Sequence, residues 1–330
     1  MTADGPTDGV RLSDVARRAG VSVATASQSF SGRRPVAAAT RERVWAAALE
    51  LGFVPTAVRP TVAILVRPPE ALRSSTFGTT SFAHLAGAIA LAGLNRGFSV
   101  FTAREVGDLV GGVARMDGCV LVCPNSDDAS LRALVKSVTP VVSYDPDPGA
   151  EDFTWWVGAD YYHSIGALLN HLRERGSQRL ALLVGQTDNM YRRAMISASR
   201  AFGAETGETP RIDVIDNARG QDAAREATAR LLRSNGPPDA IITTSSIFAT
   251  GVLRAAEARG VRVPGELRIA TATDGPLAEF ASTPITALRI DTHRSAQQVV
   301  ELLDVRIHGG PEPAAGRMVQ LELMIRRSTW

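Results

Sequence analysis

From Thr61 onward, short apolar runs alternate with segments of helical periodicity, and few folds can satisfy such a pattern. TVAILV, starting at Thr61, reads as a buried strand, and FAHLAGAIALAGLNRG as a helix stopped by Gly97. The strands FSVFTA and GCVLVCP follow, then a helix within DDASLRALVKSV and the strand PVVSYD. A second round begins with helix YHSIGALLNHLRERG, strand RLALLVG, helix YRRAMISASRAFGAE and strand RIDVID. It continues through helix DAAREATARLLRSNG, strand DAIITT, helix IFATGVLRAAEARG and strand LRIATAT. Strands this apolar must be covered on both faces, and strands separated by helices pair in parallel. The expected class is α/β, and two consecutive rounds suggest two lobes of parallel sheet flanked by helices with a cleft between them. Ligands of such sheets bind at the carboxyl ends of the strands.

The segment before Thr61 has a different character. Residues 11–60 carry eight arginines (11, 17, 18, 33, 34, 41, 43 and 59) against Asp14, Glu42 and Glu50, so they are basic while the rest of the chain is mildly acidic. A basic head suits a polyanion. In RLSDVARRAGVSVATASQSFSG, Ser13 is placed to cap a first helix whose apolar face is Leu12, Val15, Ala16 and Ala19. Gly20 ends that helix and Ser22 caps a second, over about 23–30. The short Gly20-Val21-Ser22 connection has the length of a helix-turn-helix. A third helix, with Thr40 as its expected cap, carries Val44, Ala47, Ala48 and Leu51 and stops at Gly52. The second helix is left with a free face that can enter a major groove. There Gln28 can pair with adenine N6 and N7, and Val23 and Ala24 can meet thymine methyls. Ser22, Thr25, Ser27, Arg33 and Arg34 suit phosphates, which fix register without reading sequence. Ser13 belongs to the same DNA-facing set.

Length and composition set the limits. A chain of 330 residues with 45% hydrophobic and 21% charged residues is an ordinary globular sequence of more than one domain. The N-terminal MTADGPTDGV lacks the pattern of a signal peptide, and no apolar stretch is long enough to cross a bilayer. Cys119 and Cys123 lie on one strand and read as core thiols in a reducing cytoplasm. The division expected is a disordered tail (1–10), a helix-turn-helix domain (11–55), a short linker (56–60) and the two-lobed body (61–330).

LSDVARRAGVSVATASQSFSGRRPVAAATRERVWAAALELGFVP closely resembles the DNA-binding head of LacI/GalR-type transcriptional regulators. HLRERGSQRLALLVG, PDAIITT, GVLRAAEARGVRVPGELRIA and MIRRST resemble that family's effector-binding core, which is like a periplasmic sugar-binding protein. The resemblance implies a cytoplasmic regulator, a dimeric repressor on a pseudo-palindromic double-stranded DNA operator. A small-molecule effector, such as a sugar or related metabolite, would act from the cleft. An activator, or a regulator without an effector, is the alternative; a small-molecule-binding protein or enzyme on the same fold is more distant. Ala26, Ser29 and Ser31 depart from the head pattern and suggest looser packing. Gln28 replaces a frequent Arg and suggests a different operator base.

The resemblance also implies effector-binding positions, carried over one at a time. Asp160 matches the acid that follows the lobe-crossing strand, and Arg192, with Arg193 as the alternative register, matches an arginine early in a later helix. The family's Asn-Asp pair is here Ser245-Ser246. Its G-F/Y-D-D run is Thr271-Ala272-Thr273-Asp274, and its Q-P is Ile290-Asp291. Several hydroxyl-reading side chains are therefore replaced, which suggests a less polar ligand or none. Asp160 and Arg192 have a plainer reading as an inter-lobe ion pair or surface charges. Trp155 and Trp156 could wall a ligand or belong to the core or a dimer contact.

No GxGxxG after a strand, GxxxxGK[ST] or HExxH is present, and the single lysine, Lys136, lies in an amphipathic helix. His163 and His171 lack metal-ligand partners at useful spacing. Neither an enzyme nor a metal or cofactor is expected. The linker TAVRP is short and contains no R-S-L-like segment, and Pro60 disfavours helix at Arg59. No hinge helix or leucine wedge in the minor groove is expected, although Arg59 remains a candidate for phosphate or the minor groove.

Overall fold

A computed structural model of the chain describes residues 10–31, 34–53, 59–67, 81–110 and 116–330, apart from the side chains of residues 31, 81, 109 and 110. Residues 1–9 of the expected tail, Arg33, and 56–58 of the expected linker lie outside the described residues. So does most of the segment on which the hinge expectation rests; Arg59 and Pro60 are in neither helix nor strand. Contacts divide the chain into two compact units, one reaching to Pro60 and including Gly97–Ser99, the other holding Thr61–Arg96 and Val100–Trp330.

The first unit contains α1 (Leu12–Ala19), α2 (Val23–Ser31) and α3 (Ala38–Leu51). Val15, Ala16, Ala26, Phe30, Val44, Ala47 and Ala48 form its core. Gly20 and Gly52 end α1 and α3 with φ of 65° and 68°, a conformation that costs other residues a Cβ clash. Ser22 caps α2, its Oγ accepting the Thr25 N–H at 3.0 Å. Two expected caps are corrected. Ser13 lies inside α1, because extended Arg11 is the N-cap and donates its backbone N–H to the Asp14 carboxylate at 3.0 Å. Thr40 lies inside α3, because Ala38 and Ala39, strong helix formers, carry the helix back to an N-cap at Ala37. Ala26 is fully buried and the Ser29 hydroxyl donates to the Thr25 carbonyl at 2.8 Å. Phe30 packs edge-on to Trp45 at 5.1 Å and against Phe53 at 5.8 Å, supplying volume that these two small residues lack.

The second unit runs β1 (Thr61–Val66), α4 (Ser81–Arg96), β2 (Ser99–Ala103), α5 (Val106–Val110), β3 (Gly118–Val122), α6 (Ala129–Lys136), β4 (Val141–Tyr144) and β5 (Trp156–Ala159). It continues with α7 (Tyr161–Glu174), β6 (Leu180–Gly185), α8 (Met190–Thr206), β7 (Arg211–Ile215), α9 (Gly220–Leu231), β8 (Ala240–Thr243), α10 (Ser246–Glu257) and β9 (Arg268–Thr271). Last come α11 (Pro276–Glu279), β10 (Thr286–Ile290), α12 (Thr292–Ile307), β11 (Arg317–Val319) and β12 (Leu321–Met324).

Two six-stranded sheets result, ordered β11-β5-β4-β3-β1-β2 and β12-β10-β9-β8-β6-β7. The β1–β3, β3–β4, β4–β5, β5–β11, β6–β7, β6–β8, β8–β9 and β9–β10 pairs are parallel. The β10–β12 pair is antiparallel, an exception to the expected parallel sheets, because β12 enters the second sheet as the chain returns from the first. The lobes are not two consecutive rounds. The first lobe takes α12 and β11 from the end of the chain, and α12 packs on α4, β3, β4 and β5. Single residues, Asp160, Asp291 and Gln320, join β5 to α7, β10 to α12 and β11 to β12, so the chain passes between lobes three times. In the second lobe Leu180, Leu182 and Val184 face a core with α7 and α8. Ala181 and Leu183 face the opposite core with α9 and α10. This alternation is the two-residue repeat of a strand covered on both sides.

Candidate functional site

On α2, Val23, Ala24 and Ser27 are exposed and Thr25 and Gln28 half-buried, whereas Ala26, Ser29 and Phe30 are buried. The helix therefore turns one uncharged polar and small-apolar face outward. Ser22 Oγ and Thr25 Oγ1 lie 2.8 Å apart, so the cap also orients the Thr25 hydroxyl. Ser13, Ser22, Arg34 and Arg59 are exposed. α1 and α3 are tied by Arg18 to Glu50 at 2.8 Å, an exposed pair worth little in stability.

The helices of the second unit begin at the carboxyl ends of its strands, which brings four side-chain N-caps to the lobe-crossing region or the cleft. Asp160 caps α7, Asn189 caps α8, Ser245 caps α10 and Asp291 caps α12. Such ends also present a positive dipole toward ligands. Asp160 is positioned by the crossings themselves. Its N–H donates to the Val319 carbonyl at 3.0 Å, and its carboxylate accepts from Gln320 Nε2 at 3.2 Å and lies 2.9 Å from His163 Nδ1. Partial burial acts to raise its pKa, but the hydrogen bonds from His163 and Gln320 outweigh it and hold the acid below the usual carboxylate range.

Across the mouth of the cleft the two arginine registers separate. Arg193 forks onto Asp188 with Nε–Oδ1 3.0 Å and Nη2–Oδ2 2.7 Å. It also donates to Ser126 Oγ at 3.0 Å and to the Pro148 carbonyl at 3.3 Å, both in the first lobe. The Ser126 N–H donates to the Asp188 carbonyl at 2.7 Å, and Asn125 and Asn189 form a β-bridge. The Arg193 hydrogen bond is the chief cause of a lowered Asp188 pKa. Arg192 reaches Asp188 at 3.5 Å, and its buried Nε has no hydrogen-bond partner among the described residues.

Ser245 Oγ accepts the Phe248 N–H, and the Ser246 N–H donates to Thr273 Oγ1 at 3.3 Å. Asp274 lies apart from them in function. Arg326 binds it through two nitrogens at 2.7 and 2.9 Å, and Arg289 Nε at 3.0 Å. Burial would raise the Asp274 pKa; the bond from Arg326 leads the causes that lower it. An open crevice of about 400 Å³ beside it is lined by His84, Asp274, Glu279, Arg289 and Thr292 among others. Trp155 is buried under the Arg306 guanidinium, 4.8 Å from its ring, and the Trp156 ring lies against the Gly316 α-carbon. Both are occupied by packing. His171 is buried with Nε2 2.9 Å from Thr329 Oγ1, a structural contact, and burial lowers its pKa. Cys119 and Cys123 are buried free thiols, raised by that burial.

Sequence reasoning missed a buried set at the end of β4. Asp145, with φ 68°, accepts from Tyr161 Oη at 2.9 Å and from the Ala159 N–H at 3.3 Å. Burial raises its pKa to about 7, against those two bonds and a contact from Cys123. Asp147 accepts three backbone N–H groups, from Asp127, Asp128 and Gly149, at 2.7–2.8 Å. Tyr191 was also missed. A polar residue after an apolar strand gives a sequence signal for a loop acid, but not for what that acid binds.

Among the described residues no group of acids, histidines and cysteines could hold a metal ion, and no helix is long and apolar enough to cross a membrane. Residues 11–56 match the family of bacterial regulatory proteins of the lacI type, and residues 169–329 match a periplasmic binding protein-like domain. The chain is 25% identical to the HTH-type transcriptional repressor PurR of Photobacterium profundum, over 96% of this chain and 98% of the relative. It is 27% identical to the HTH-type transcriptional regulator CelR of Thermobifida fusca, over 96% and 97%. The structure of a CelR–cellobiose complex aligns with TM-score 0.73 and 26% identity over 97% of this chain and 99% of the other. The lac repressor dimer bound to operator and an anti-inducer has TM-score 0.75 over 98% and 99%, and at 20% identity it shows the common fold. With both family domains in this order and relatives matched nearly end to end, the chain belongs to the LacI family of DNA-binding transcriptional regulators and is not an enzyme.

Proposed function

We propose that this regulator is a cytoplasmic dimeric repressor whose two α2 helices read the half-sites of a pseudo-palindromic operator, and that the inter-lobe cleft tunes that binding. The observation that carries the reading is the outward face of α2, where Gln28 stands among Val23, Ala24, Thr25 and Ser27 with no charge to confine it to phosphates. Ser13, Ser22, Arg33, Arg34 and Arg59 hold the backbone of the DNA in this reading. A relative named as a repressor supports the sign of regulation. Leu91 and Leu94, 64% and 54% exposed and one turn apart on α4, support a partner surface for a second copy. The domain limits 11–55, 56–60 and 61–330 are part of the same proposal. In the cleft, Asp160, Arg192, Ser245, Ser246, Thr273 and Asp274 remain the positions at which an effector would be felt. Asp160 and Asp274 act chiefly by positioning, since their oxygens are engaged within the protein. Selection of binding sites from random DNA tests the reading. Gln28→Ala is expected to relax preference at one base pair per half-site and to cost about 1–3 kcal/mol there. Identical base preferences for the two proteins would remove Gln28 from the reading role.

A further inference from the structure

Cys123 and Asp145, the residues that follow β3 and β4, both take left-handed backbone, with φ of 57° and 68°. That conformation is costly for residues with a Cβ and persists only where the surroundings enforce it. The Cys123 N–H donates to the Tyr144 carbonyl and the Asp145 N–H to the Val157 carbonyl, each at 2.8 Å, so both turns are fixed to the first sheet. The Asp145 carboxyl turns inward over the end of β5, where the residue is 3% exposed. Its Oδ1 accepts the Ala159 N–H at 3.3 Å. Gly158 leaves room for it, since a Cβ there would stand 3.1 Å from the same oxygen. Oδ2 accepts from Tyr161 Oη at 2.9 Å and from Cys123 Sγ at 3.7 Å.

The bond from Tyr161 differs from the other two. Cys123 follows β3 and Ala159 ends β5, both in the first sheet with Asp145. Tyr161 opens α7, and its ring is buried in the second-lobe core with Ile165, Leu182 and Met195. Only Asp160, one of the three crossings, stands between Ala159 and Tyr161. A hydrogen bond from a second-lobe hydroxyl to a first-lobe carboxyl therefore spans a lobe crossing. Opening the lobes carries Tyr161 away with its own core and admits water to the carboxyl. The groups that feel the Asp145 charge are Cys123 beside β3, Tyr144 on β4, Tyr161 on α7 and Tyr191 on α8. Asp147, two residues on, spends its own carboxylate on three backbone N–H groups. Among the described residues no cation is paired with Asp145. A carboxylate buried in this way is penalised and a neutral carboxyl is not, which raises its pKa to about 7.

We propose that Asp145 is a proton-operated latch at a lobe crossing: its neutral form lets the lobes close over it and keep the Tyr161 bond, and its ionised form drives them open to water. Closure is then fully supported where the carboxyl is neutral in both arrangements and is lost as pH rises through about 7, the value of the closed arrangement. The proton acts here as a regulatory ligand beside any effector. The latch itself is a property of the body. Its effect on the operator rests on the reading that the cleft tunes DNA binding.

Small-angle scattering of the full chain at about pH 5.5 and 8.5 tests it. Between them the ratio of closed to open lobes is expected to fall by up to about 30-fold, so the wild-type radius of gyration grows. Asp145→Asn, held neutral, is expected to stay closed with one radius at both values. Tyr161→Phe, which keeps the ring and loses the bond, is expected to be more open than wild type at the lower pH. Three results overturn the proposal. One is a wild type with the same radius at both values. Another is an Asp145→Asn protein that follows pH as wild type does. The third is a Tyr161→Phe protein that matches wild type at the lower pH. Affinity for an operator selected from random DNA is measured on the same samples by fluorescence anisotropy. If the radius follows pH through Asp145 and the affinity does not, the reading that the cleft tunes DNA binding fails and the latch stands.

Discussion

A single carboxyl illustrates how burial sets chemistry at the residue scale. Asp145 is 3% exposed and its pKa is pushed up to about 7 by burial. The groups facing it are Tyr161, Cys123 and the Ala159 N–H, together with Tyr144 and Tyr191, which feel its charge. None of these is a cation. Because the folded chain holds this proton more tightly than the unfolded chain, folded protein binds more protons between about pH 4 and 7, and stability from this group falls as pH rises through that window. Asp145→Asn keeps an acceptor for Tyr161 without the charge. Its stability relative to wild type is expected to grow from pH 5 to pH 8, by on the order of 2 kcal/mol. Urea denaturation at the two pH values measures it, and a difference independent of pH would show that the carboxyl is ionised at no cost. Asp274 is the opposite case. Two arginines keep it ionised, and it binds within the protein although its position suggested a ligand group.

At the scale of elements, helix pairing depends on small residues as much as on apolar ones. α9 and α10 pack closely on one face of the second sheet, and Gly251 lies at their contact. A Cβ there would overlap the Gln221 carbonyl oxygen and come within 2.8 Å of the Ala224 Cβ. Backbone cannot give way as a flexible side chain can. Gly251→Ala is therefore expected to destabilise the body by about 1–3 kcal/mol despite the better helix propensity of Ala. A lowered urea midpoint with unchanged slope would confirm overpacking, and a stabilised variant would refute it. The element boundaries in the sequence were legible where apolar periodicity was long, as in β1, α7, α8 and α10. They were not legible at β5, α12, β11 and β12. Those elements take their place from partners distant in sequence, and β11 is only three residues long.

At the scale of the molecule, three crossings leave the two lobes jointed rather than fused, and contacts at the rim decide how far they open. Arg193 is half exposed, so its ion pair with Asp188 is screened by water and contributes at most about 1 kcal/mol. Its leverage is on the equilibrium between closed and open lobes. Arg193→Ala is expected to change Tm little while raising the average radius of gyration, with Ser126 and Pro148 released from the second lobe. An unchanged scattering profile would show that the rim tie does not set how far the lobes open. This coupling also bears on the neighbouring arginine. The sequence offered Arg192 and Arg193 as equivalent registers, and only the geometry separates a rim tie from an arginine with a buried, unpartnered Nε.

The sequence by itself determined the order of domains, the helix-turn-helix with its outward α2 face, and the α/β character of the body. These depend on local periodicity, caps and turns, which act between residues a few positions apart. Tertiary structure alone decided which strands share a sheet, how the chain is divided between lobes, and which polar side chains are already satisfied. Asp160, Asp274 and Tyr191 show the reason. Their partners Gln320, Arg326 and Phe82 lie far along the chain, and whether a carboxylate or hydroxyl is available to a ligand depends on those partners rather than on its neighbours in sequence.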